Sequence, residues 1–217
     1  MPMKLRSTPE IIRAAQLAIN NTRKDATVAK KMAQFGFPER RLQQGIDLLA
    51  TVQDTQRVQK TCYDENWQLS HRIEQELQAL RPLFMDHVTA VRFVFRRQPA
   101  ILHTFKVKSI SLSKWAWVEQ AQEFYEAVPP HYEVLAAVGV SREELDQAQA
   151  SVAAVLALRD DRLHKKGEAE DSTEARNQAR RLLQEWIRDF RATARLALKD
   201  TPQKLEAFGI RVPSLQK

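Results

Sequence analysis

The feature that most constrains this chain is an internal register: the sequence can be laid over itself, without a gap, at an offset of 103 residues. The run Met32 to Leu42 falls on Leu135 to Leu145, which matches Gly36 with Gly139 and Leu42 with Leu145. Downstream the same offset sets Leu49 on Val152, Val52 on Val155, Leu80 on Leu183, Phe84 on Ile187 and Asp86 on Asp189. At the far end Arg92 meets Arg195, Pro99 meets Pro202 and Phe105 meets Phe208. Apolar residues align by chance in any two helices, whereas a glycine, a proline and the apolar phase held together in one register point to duplication. The expectation is an all-α fold of two tandem copies, residues 1–108 and 109–217, packed together as a helical bundle; whether as one bundle or two stays open.

Composition supports helices. Only 5 Gly and 9 Pro occur in 217 residues, little material for turns against usual frequencies of about 7% and about 5%, and 43% of residues are hydrophobic, enough for a core. Ser7-Thr8-Pro9-Glu10 combines a capping hydroxyl, proline in the first turn and an acid, so a helix should begin near residue 9. Gly36, Gly139 and Gly209 each follow an apolar residue that ends a helical pattern and precede another apolar residue, the pattern of a left-handed helix cap. At the matching point of the first copy Lys106 stands in place of glycine. Leu42, Gly45, Leu49 and Val52, repeated as Leu145, Ala148, Val152 and Val155, form a seam for another helix, and the small residue at Gly45 and Ala148 lets that helix come close. A second face recurs at Leu80, Phe84, His87 and Val91 and at Leu183, Ile187, Phe190 and Ala194. Each copy is therefore expected to fold as a long antiparallel helix hairpin, turning at residues 62–69 in one and at the polar run Lys165 to Ser172 in the other.

Function is less constrained. No apolar stretch approaches the about 20 residues needed to span a bilayer, and Met1 to Ser7 lack the apolar run of a secretory signal. The lone Cys62 suits a reducing compartment, so residence is expected to be cytoplasmic, with no membrane association. Five histidines occur, none at metal-ligand spacing from another His or a Cys, and no phosphate loop or nucleophile elbow is present, so no metal, cofactor or catalytic residue is assigned. The spacing from Arg81 to His87, like those from Arg97 to His103 and Arg159 to His164, resembles the Arg-x(4–6)-His signature of helical HEPN-type ribonucleases, which would imply Arg81 and His87 as a catalytic pair. Pro82 stands where that family has a polar residue.

Charge is more informative. Residues 1–114 hold 19 Lys and Arg against 10 Asp and Glu, while residues 115–217 hold 15 against 17. Arg92, Arg96, Arg97, Lys106, Lys108 and Lys114 concentrate that excess where the first copy ends, a candidate phosphate-binding set. The leading expectation is a non-enzymatic interaction or structural protein that binds itself or a protein partner through helix faces. The alternative is a nucleic-acid-binding accessory protein using the basic first copy. A third possibility is a small-molecule site lined by Trp115, Trp117, Phe84 and Phe93.

Overall fold

The computed structural model describes residues 7–212, and apart from Ser7 the N-terminal stretch read for a secretory signal lies outside them. Among the described residues every regular element is helical. Helix α1 (Thr8–Lys24) starts at a capping box: Ser7 Oγ accepts from the Glu10 amide while the Glu10 carboxylate accepts from the Ser7 amide. Asp25 then ends α1 and caps α2 (Ala26–Gln34), its carboxylate accepting from the Thr27 and Val28 amides. Helix α3 (Glu39–Val94) and the short α4 (Pro99–Thr104) follow, then α5 (Lys114–Glu126), a 3-10 turn at Pro129–His131, α6 (Tyr132–Ala136), α7 (Arg142–Ala197) and a closing 3-10 segment at Pro202–Phe208.

The expected hairpins are corrected by α3 and α7, each one continuous helix of 56 residues. The reason is local. A single glycine costs a helix only about 1 kcal/mol relative to alanine, and Gly167 sits among lysines, glutamates and alanines that favour helix. Ser172, expected to cap a new helix, instead donates to the carbonyl of Ala169 at 2.8 Å, and both residues are buried. Residues 62–69 contain no breaker at all. Even Pro82 is carried inside α3, although it leaves the Gln78 carbonyl without the amide it would normally meet.

Because the helices do not turn back, each seam finds its partner in the other half of the chain. The compact units are residues 1–62 with 168–217, and residues 63–167, so each draws on both sides of residue 108. In the first unit Leu42 and Val52 of α3 pack in one core with Leu183, Trp186, Ile187, Phe190 and Ala194 of α7, closed by Ile11, Ala15 and Ile19 of α1, Met32 of α2, and Phe208. In the second, Leu145, Ala148, Val152 and Val155 of α7 share a core with Leu80, Phe84, Val88 and Val91 of α3, and Val118, Phe124 and Tyr125 of α5 complete it. At roughly 1.5–3 kcal/mol for each fully buried large apolar side chain, these faces dominate the stabilisation of each unit.

Glycines serve the packing in two ways, by conformation and by the space they leave. After α2 the chain turns at Gly36 (φ +86°), and the Phe37 amide donates back to the Met32 carbonyl at 2.9 Å; Val140 and Leu135 repeat the bond around Gly139 (φ +88°), and Ile210 and Leu205 around Gly209. Lys106 takes up a left-handed conformation without being glycine (φ +51°). Gly45 has another role: a Cβ there would lie 2.2 Å from Cζ2 of Trp186, so its missing side chain is the space the indole occupies. The Trp186 indole donates to the Arg41 carbonyl at 2.8 Å, which locks the ring into that space.

Candidate interaction surfaces and a buried histidine

Three groups of residues in the second unit carry chemistry beyond packing. The first is the basic end of α3. Arg92, in the last turn, donates from Nε to the Val107 carbonyl at 3.0 Å, and its Nη2 reaches the same oxygen, so residues 92–97 and 106–108 are tied side by side. Arg96 folds over Phe93, its guanidinium 4.8 Å from the ring centroid, and donates to the Phe93 carbonyl. Lys106 pairs with Glu123 at 2.9 Å, while Lys114 pairs with Glu74 at 2.5 Å on another part of the surface. Arg97 and Lys108 are exposed and make no hydrogen bond or ion pair among the described residues. Of the six basic residues singled out in the sequence, five are thus brought to one end and Lys114 is set apart.

Gln120 holds this region in a way the sequence did not signal. Its amide nitrogen donates to the carbonyls of Lys106 and Ser109, both at 2.7 Å, and its carbonyl accepts from the Ser111 amide at 3.1 Å. One side chain satisfies three backbone groups of the connection from α4 to α5, which has no secondary structure to satisfy them.

The second group is buried. His87 is 2% exposed, with Nδ1 at 2.9 Å from the Tyr125 hydroxyl and Nε2 at 3.1 Å from Glu144 Oε1. A carboxylate can only accept, so Nε2 donates to Glu144, and in the neutral ring Nδ1 accepts from the tyrosine hydroxyl. Burial, and after it the negative charge of Glu144, pushes the Tyr125 hydroxyl well above its ordinary range. With both nitrogens engaged and the ring buried, this chain links α3, α5 and α7. The Arg81 guanidinium lies over the Trp117 ring instead, so the arginine and histidine paired by spacing in the sequence serve different neighbours.

The third group is an exposed aromatic ladder on α3. Tyr63, Trp67, His71 and Gln75 recur every four residues; Tyr63 is 52% and Trp67 68% exposed, and the Trp67 and His71 rings stack 3° from parallel. Of the aromatics considered for a small-molecule site, Phe84 and Trp117 are buried in contact with each other while Phe93 is exposed. No family model, curated protein or solved structure matches this chain. Among the described residues no three His, Cys, Asp or Glu side chains form a metal-ligand set, and no helix is long and apolar enough to cross a membrane. The chemistry of the surfaces therefore stands alone as the guide to function.

Proposed function

We propose that the chain is an internally duplicated, non-enzymatic cytoplasmic protein that works by docking a second copy or a protein partner on its helix faces. The observation that carries the reading is Trp67: a tryptophan 68% exposed in the middle of a long helix, one turn from an exposed tyrosine, is the residue type and placement that dominates protein–protein contacts. Duplication is supported by the ends of the two long helices, Glu39 against Arg142 and Val94 against Ala197, each pair 103 residues apart. Exposed apolar residues also recur at that offset, Phe35 with Val138 and Phe93 with Leu196. Light scattering over a concentration series, together with recovery of partners from the native host, tests the reading. Concentration-dependent mass, or a partner lost on Trp67→Glu, supports it; a strict monomer with no partner sensitive to Trp67 refutes it.

A second reading rests on the bond from Arg92 to Val107. By holding Arg96 and Arg97 beside Lys106 and Lys108, it gathers positive charge into one patch suited to phosphates. Arg97→Glu with Lys108→Glu should then abolish salt-sensitive binding to nucleic acid, measured by fluorescence anisotropy. No binding by the unaltered protein at low salt would end this reading.

A further inference from the structure

The second unit also holds a groove that neither docking reading uses. It lies between α3 and the segment leading into α5 and has a volume of about 510 Å3, inside the roughly 300–1,000 Å3 typical of small-ligand sites. Leu77, Gln78, Arg81, Pro82 and Met85 present successive turns of one α3 face to it, and Trp117 comes from α5. Its base is apolar: Leu77 and Trp117 are buried and Met85 half-buried.

Two cations and one carboxylate, Glu74, line the groove, and the cations differ in what they are bonded to. The charge of Lys114 is met by Glu74 at 2.5 Å. Arg81 has no such partner: its guanidinium sits 5.4 Å from the centroid of the Trp117 ring, and it makes no hydrogen bond or ion pair among the described residues. A guanidinium offers a fixed fork of N–H donors that matches the two oxygens of a carboxylate. Resting on an indole, the Arg81 fork has less freedom to lose on binding. Leu112, 88% exposed, adds apolar surface at the groove that an occupant would cover.

A cation without a counter-charge beside an apolar floor is complementary to a molecule with an apolar body and one anionic end. We propose that this groove binds a small amphipathic carboxylate, its two oxygens accepting hydrogen bonds from Arg81 and its apolar chain lying on Pro82, Met85 and Leu112. The proposal is independent of the two docking readings, because it uses neither Trp67 nor the basic end of α3.

The test titrates the full chain with decanoate, decanol and decylammonium, following the Trp117 indole N–H by NMR and the affinity by calorimetry. Decanoate should shift the Trp117 signal and bind at least tenfold more tightly than decanol, and decylammonium should not displace it. Arg81→Gln should weaken decanoate at least tenfold and leave decanol unchanged. Leu112→Asp, at a position too exposed to disturb folding, should weaken decanoate several-fold by placing a negative charge at the groove. Equal binding of decanol and decanoate, decanoate affinity indifferent to both substitutions, or no Trp117 shift at millimolar decanoate would overturn the proposal.

Discussion

Two glycines in long helices have opposite roles, and the difference can be measured. A methyl group on Gly45 meets rigid ring atoms of Trp186 at 2.2 Å, whereas nothing lies within 4 Å of one on Gly167. Overpacking of this kind typically costs about 1–3 kcal/mol, more than the up to about 1 kcal/mol that alanine gains over glycine in a helix. Gly45→Ala should therefore lower the urea midpoint, while Gly167→Ala should raise stability by about 0.5–1 kcal/mol. The seam and its small residue were legible in the sequence; the identity of the ring filling the space was not, because Trp186 lies 141 positions away. His87 is another residue whose surroundings periodicity could not supply. Replacing it with phenylalanine, the type found 103 positions later at Phe190, leaves the Tyr125 hydroxyl buried without its acceptor, and should cost about 1–3 kcal/mol. Tyr125→Phe in the same protein should recover most of that loss, as a double-mutant cycle in urea would show. Since Tyr125 gives up its proton less readily folded than unfolded, stability is fully present below its ordinary value of about 10 and declines as pH rises above it. The Tyr125→Phe variant should lack that alkaline decline.

At the scale of elements, the sequence marked where helices start and stop when the signal was strong and failed when the signal was only polar. Ser7-Thr8-Pro9-Glu10 and the glycines after α2 and α6 gave boundaries because each satisfies backbone groups by a defined bond. Lys165 to Ser172 looked like a loop because it is charged, yet a charged run without proline is as good a helix as any when it continues one. Lys106 is the exception among the turns. Its left-handed conformation costs a residue with a Cβ about 1–2 kcal/mol, more than an exposed ion pair with Glu123 returns, so Lys106→Gly should stabilise the protein to thermal unfolding. Asp25 joins elements through charge. Its carboxylate accepts from Lys204 of the closing 3-10 segment at 2.6 Å while capping α2, and the bond from Lys204, followed by that from the Val28 amide, holds it below its ordinary range. A carboxyl so lowered stabilises above its unfolded value of about 4 and stops doing so as pH falls through the folded one. Asp25→Asn should flatten the acid end of the stability profile.

For the whole molecule, the all-helical class and the buried faces were readable from periodicity alone, but the pairing of those faces was not. The seam at Leu42 to Val52 suits either the face at Leu80 to Val91 or its counterpart at Leu183 to Ala194, since both have the same spacing and apolar character. The choice falls to the second because α3 and α7 have nothing in them strong enough to make them turn. That exchange of partners between the halves of the chain underlies the units, the groove and the exposed ladder alike. It is tested most directly by nuclear Overhauser contacts in solution. Cross-peaks from the Gly45 α-protons to the Trp186 ring, and from the His87 ring to the Glu144 side chain, are expected; contacts from Leu42 and Val52 to Leu80 and Val91 in their place would show that each half folds back on itself and would contradict the account.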